Sequence, residues 1–155
     1  MDTNKPVASF ASYSVGWIAA LPHERAAALL MLDDEYNDPP PDFKQHSHDS
    51  NSYSWGRVGK HHVVIASLPA GVYGTTAATE TALGLLASIP HIRIGLMVGI
   101  GAGIPFEINT DDNEVFSSRK DVRLGDVVVS QPTNTNGGVV QYDFGKALAS
   151  GGFKF

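Results

Sequence analysis

Cysteine is absent from the 155 residues, which excludes disulfides and thiolate zinc sites and fits a reducing compartment. Positive charge is scarce too: eleven Lys and Arg stand against sixteen Asp and Glu, a formal net charge of −5. The basic residues are scattered singly, so the charge footprint of a nucleic-acid binder is missing and no DNA or RNA partner is expected. Long apolar runs are lacking. The longest, "IGLMVGIGAGIP" at 94–105, falls short of a bilayer span by about six residues or more and is too glycine-rich for a good helix, so no membrane partner is expected. The N-terminal "VGWIAAL" is too short to act as a signal peptide and runs straight into a helical pattern. A soluble protein of the cytoplasm is the plain expectation.

What is present is ordinary globular composition, 43% hydrophobic and 17% charged, with room for one domain and a sizeable core. Residues 13–155 are read as that domain and 1–12 as a flexible N-terminal segment. "YSVGWIAA" (13–20) is a buried strand feeding a helix with Pro22 in its first turn, which should run to about Glu35. Three consecutive prolines make 36–52 a surface loop with little to bury. "YSWGRV" and "HHVVIASLP" flank Gly59-Lys60 as a hairpin. A helix follows from Thr75 to Ser88, where Ala77, Ala78, Ala82 and Ala87 would let it lie close on a sheet. "IRIGLMVGIG" is apolar on both faces, as a central parallel strand should be. "FEINTDDNEVFSSRKD" is a loop, "GDVVVS" a strand and "GGVVQYD" a further candidate strand. Strands alternating with helices, plus one hairpin, argue an α/β domain with a mixed sheet.

Chemistry concentrates at two places. Gly99, Gly101 and Gly103 leave the main chain bare after a parallel strand, where ligands bind in open α/β sheets. The G-x-G-x-G spacing and the following Pro105 fail as a dinucleotide fingerprint, so no NAD or FAD is expected. Tight strand packing is the plainer explanation of the glycines. Glu24, in the first helical turn at the end of the first strand, would face the same crevice; stabilisation by the helix dipole is its plainer role. No Ser, Thr, Asp or Asn precedes it to complete a capping box. Neither His46-x-His48 nor His61-His62 has helical ligand spacing, so no metal is expected. No G-x-S-x-G or G-x-x-x-x-G-K-[ST] occurs.

Taken in order, "VGWIAALPHERAAA", "LPAGVYGTTAAT", "GLMVGIGAGIP" and "VRLGDVVVSQPTNTNGGVVQYDFGK" resemble the nucleoside phosphorylase superfamily, in particular its fungal phosphorylase-like branch. The resemblance runs from about Tyr13 to Lys146. It implies a three-layer α/β/α fold around a mixed sheet, no cofactor, and cleavage of a purine nucleoside by phosphate or water. On that pattern Glu24 orders the attacking water. Gly99, Gly101 and Gly103 line the ribose and the nucleophile, and Gly71 and Val72 approach the 5′ side of the sugar. Met97 and Ile100 stand where phosphorylases place an arginine and a serine, which favours water over phosphate. The family's base loop, its Met-Glu pair and its late aspartate would all lie beyond Phe155.

Two functions follow from these residues. One is a nucleosidase or phosphorylase with a small-molecule nucleoside, and in the second case phosphate, as its partners. The other is a truncated, inactive nucleoside-binding or interaction domain, whose uncovered sheet edge would favour a homo-oligomer.

Overall fold

The structure is a computed structural model of the chain, and it describes residues 8–103, 122–135, 137–139, 146–147 and 153–154. The chain divides into two compact units, 1–101 and 102–155. The first holds a mixed five-strand sheet with two helices, an α/β arrangement. In chain order its elements are β1 (Tyr13–Ala19), α1 (Pro22–Leu30), β2 (Asp34–Tyr36), β3 (Tyr53–Val58), β4 (His61–Ser67), α2 (Thr75–Ser88) and β5 (Ile94–Met97). The sheet order is β2-β3-β4-β1-β5; β4, β1 and β5 run parallel, while β3 is antiparallel to both β2 and β4.

Two cores form because side chains alternate along strands. Val15 on β1 and Val63 and Ile65 on β4 bury with Ala28 of α1. Ile18 and Val64 bury with Ala77 and Leu85 of α2. Tyr13 breaks the alternation. A register shift between Tyr13 and Val15 sets two β1 residues against one on β4, and the tyrosine joins the α2 cluster instead of following Val15. It is 0% exposed and meets Trp55 edge-on with ring centroids 4.9 Å apart.

Helix α2 buries Ala77, Thr81, Leu85 and Ser88, a stripe at i, i+4, i+8 and i+11. Ala78 and Ala82 pack partly on the core, whereas Ala87 is exposed. The close approach comes from the sheet side: a methyl on Gly16 of β1 would sit 2.7 Å from Leu85 Cδ2.

Three expectations need correction. Helix α1 stops at Leu30, not Glu35, because Asp34–Tyr36 pairs with β3 instead. Leu32 lies so close that a methyl on Gly56 would meet its Cδ1 at 2.5 Å, and Asp34 accepts from Arg57 Nε at 2.9 Å. Long-range pairing outweighs local helix propensity there. Strand β5 is parallel to β1 but lies at the sheet edge, with all four residues exposed; β1 and β4 occupy the centre. "GDVVVS" forms no strand, and Val127, Val128 and Val129 are exposed. Among the described residues no strand pairs with it, and β propensity alone does not make a ladder.

The 36–52 segment is a loop but not a bare one. Pro40 is fully buried, and Phe43 stacks edge-on against Trp55 at 4.7 Å. Asp42 accepts from Ser9 Oγ at 2.5 Å and from the Phe10 amide at 2.9 Å, which ties down the short 3-10 turn Phe10–Ser12. In the second unit the described strands are β6 (Lys146–Ala147) and β7 (Phe153–Lys154), an antiparallel pair. The loop 106–121 and most of "GGVVQYD" lie outside the described residues.

Candidate functional site

Because β4, β1 and β5 run parallel, their carboxyl ends share one edge of the sheet. The ladder extends one bond further on each side of β1. The Leu68 amide donates to Ala19 O at 3.2 Å, and the Val98 amide donates to Ile18 O at 3.1 Å. Beyond those bonds the three chains part, and the amides of Ala20, Leu21 and Ile100 no longer have a strand to pair with.

Glu24 takes all three. Its Oε2 accepts from the Ala20 amide at 3.0 Å and the Leu21 amide at 2.9 Å, and its Oε1 accepts from the Ile100 amide at 2.9 Å. The Leu21 bond is half of a capping box, the half in which the third helical residue reaches back to the N-cap amide. Leucine has no side-chain acceptor for the reciprocal bond. The carboxyl is held below its ordinary range, first by the Ile100 amide and then by those of Leu21 and Ala20, with His23 adding a little and partial burial opposing. Glu24 is therefore ionised and acceptor-only at neutral pH.

The glycine run now divides by residue. Gly99 is where something comes close, and that something is Glu24 itself: a methyl there would stand 2.6 Å from Oε1. Gly101 is open, with nothing among the described residues within 4 Å of where a methyl would sit. Gly103 belongs to the second unit, where its nearest neighbour is Val122 O at 3.1 Å. Gly71 and Val72 sit in the turn from β4 to α2, at the same edge as Glu24; Gly71 has φ +79° and Val72 is exposed. Among the described residues no hydrogen bond joins either to Glu24. The structure thus brings Glu24 together with Gly99 and Ile100 and leaves Gly101 bare beside them.

Two features escaped the sequence reading. Arg25, next to Glu24, reaches across the sheet to Ser54 Oγ at 2.7 Å and Ser67 Oγ at 3.4 Å. The second is a buried polar cluster between the proline loop and α2. Asp49 accepts from Tyr53 OH at 2.6 Å, from the Asn51 amide at 2.9 Å and from Ser88 Oγ. Asn51 Nδ2 donates to Thr81 O at 2.9 Å. A cavity of about 380 Å³ opens beside this cluster, with His46, Glu80 and Leu83 in its walls. Burial and the bond to Asp49 push the Tyr53 phenol well above its ordinary range. One signal was available: Gly84 interrupts an alanine-rich helix, and a methyl there would meet Asp49 Oδ1 at 2.6 Å. Among the described residues no three His, Asp or Glu side chains could hold a metal ion, and no helix is long and apolar enough to cross a membrane.

Comparison with known proteins names a different context from the one the motifs implied. A protein of Hyaloscypha variabilis, named as a nucleotide-binding leucine-rich repeat (NLR)-like protein, is 44% identical over 142 residues. The match covers 92% of this chain but 13% of that protein, so the chain spans about an eighth of its relative's length. No family model matches, and no solved structure matches. The resemblance to the nucleoside phosphorylase superfamily is corrected on these findings: the relative's name is that of an NLR-like protein, not of a nucleosidase, phosphorylase or other glycosyl-transferring enzyme. The physical reason lies in the motifs themselves. A glycine turn and a helix-start carboxylate at the carboxyl edge of parallel strands are what an open α/β sheet of any descent can place there.

Proposed function

We propose that this α/β unit is a recognition domain of an NLR-like protein, one that binds a neutral, hydroxyl-bearing ligand of the nucleoside type at the carboxyl edge of β1 and does not cleave it. One observation carries the reading. The Glu24 carboxylate is fixed by three backbone amides, yet Oε1 receives only one of them and keeps a lone pair for a further donor, beside the bare backbone at Gly101. A ribose hydroxyl is such a donor. The same negative charge disfavours a phosphate, and the chain carries no P-loop lysine to offset it. Binding is favoured over cleavage because a carboxylate stabilised by three donors is a weak proton acceptor, poorly suited to activating water. Work in the cytoplasm is part of the proposal, in keeping with a cysteine-free chain.

Calorimetric titration with adenosine, inosine and methylthioadenosine, paired with an assay for free base, tests it. The expected result is saturable binding by at least one nucleoside and no released base. Glu24→Gln should weaken that binding about tenfold or more, the loss of a charge-assisted hydrogen bond. Saturable binding absent for all three would refute the reading, and steady release of base would refute the non-cleaving part of it.

A further inference from the structure

The bond from the Ile100 amide to Glu24 has a second property, set by where it lies. The first unit ends at Gly101. Within it, Val98 makes the last ladder bond to β1, and the Ile100–Glu24 bond comes two residues later. Among the described residues nothing within 4 Å would crowd a methyl at Gly101, Ile100 is 76% exposed and Val98 is 42% exposed. The side chains of 98–101 therefore contribute little packing to hold this stretch. Its path is set by one carboxylate that reaches it from helix α1, 76 residues earlier in the chain.

We infer that Glu24 is a latch: it fixes the last residues of the first unit, and it reports ligand occupancy to them. The ligand part rests on the nucleoside-binding reading above; the latch part does not. Three features support it. The carboxylate is itself tethered, because Oε2 accepts from the Ala20 and Leu21 amides just beyond β1. Glycine at 99 is required for its approach, since a methyl would stand 2.6 Å from Oε1. Oε1 is also the atom with an acceptor site to spare, so a bound donor and the Ile100 amide share one oxygen. A molecule seated there orders 98–101 directly, through a shared acceptor and the open backbone at Gly101.

Amide hydrogen exchange on the full chain, read by mass spectrometry over a peptide covering 98–103, tests both parts. Without ligand, Glu24→Ala should speed exchange of the Ile100 amide in this peptide about fivefold, the loss expected of one exposed charge-assisted bond. Peptides from β4 and α2 should keep their wild-type rates. Gly99→Ala should produce the same local change with the acid left in place, which separates loss of the latch from general unfolding. Unchanged exchange over 98–103 in both variants overturns the latch. Adenosine, added to wild type, should slow exchange in the same peptide and leave Glu24→Ala unaffected. Adenosine that binds by calorimetry yet leaves 98–103 unchanged overturns the reporting role. Absence of any binding refutes the nucleoside reading and with it the reporting role, and the latch is then decided by the ligand-free comparison alone.

Discussion

The sharpest quantitative test is Gly99→Ala, because two opposing effects meet there and the structure decides which wins. Gly99 is not among the glycines with positive φ, so alanine fits its backbone. On backbone grounds alone the change should stabilise the fold by about 0.4–1 kcal/mol, through the lower entropy of the unfolded chain. The new methyl, however, would stand 2.6 Å from Glu24 Oε1, 3.1 Å from Cδ and 3.3 Å from Oε2. The carboxylate can move aside, since it ends a flexible side chain, but it then surrenders the Ile100 amide and loosens its hold on Ala20 and Leu21. Hydrogen bonds to a charged group contribute about 1.5–3 kcal/mol each when buried. This one is exposed and water replaces much of the loss, so with the loosened, part-buried bonds to Ala20 and Leu21 the total comes to about 1.5 kcal/mol, and the net effect is a destabilisation of about 0.5–1 kcal/mol. Gly101→Ala is the control: its φ is also ordinary and none of the described residues crowds it, so only the stabilising contribution remains. Urea unfolding followed by tryptophan fluorescence suits the measurement, because both tryptophans, Trp17 and Trp55, lie in the first unit. In a Glu24→Ala background the sign at Gly99 should reverse, as the obstacle is gone. Equal stabilities for Gly99→Ala and Gly101→Ala, or no reversal in the Glu24→Ala background, would refute the reasoning.

Two further outcomes follow from a buried tyrosine and a half-buried histidine. The Tyr13 hydroxyl is buried with no hydrogen-bond partner among the described residues, and burial pushes its pKa well above the ordinary phenol value. Tyr13→Phe should therefore leave stability unchanged or raise it by up to about 1 kcal/mol in the same urea assay, whereas a loss of 1 kcal/mol or more would show that the hydroxyl has a partner. His62 pairs with Arg57 across the β3–β4 ladder, and burial first, then that cation, lowers its pKa from the ordinary 6.5. A depressed folded-state value contributes stability that is present above about 6.5 and lost as pH falls through it, because the unfolded chain then binds the extra proton. The urea midpoint should fall between about pH 7.5 and 5.5, and His62→Gln should flatten that fall; identical pH profiles for the two proteins would exclude His62 as its source.

Much of the first unit was legible without coordinates, for a local reason. Helix α2 spans Thr75–Ser88 as its pattern indicates, the Gly59-Lys60 hairpin joins β3 to β4, and β1 lies within a residue of its sequence boundaries. In each case periodicity and punctuation agree with the eventual packing. Disagreement arose where a partner distant in sequence overrode the local signal. Asp34–Tyr36 reads as the end of a helix but pairs with β3, and the proline loop reads as polar surface but carries Asp49 into a cluster with Tyr53 and Ser88.

The candidate site shows the same division. From residues alone, Glu24 and the glycine turn could be placed at the carboxyl edge of parallel strands, since a strand followed by a helix start and a strand followed by glycines both end there. Sequence could not say that β5 lies at the edge of the sheet, because an apolar run is equally consistent with a centre that is covered and an edge that is not. Nor could it assign the glycines: Gly99 is approached by a carboxylate while Gly101 stays open among the described residues, a difference of a few ångströms between identical residues. Composition and periodicity act over neighbours along the chain, and they set the elements. Which amide meets which carboxylate depends on groups 76 residues apart, and only the packing of α1 on β1 and β4, with β5 paired to β1, brings those two together.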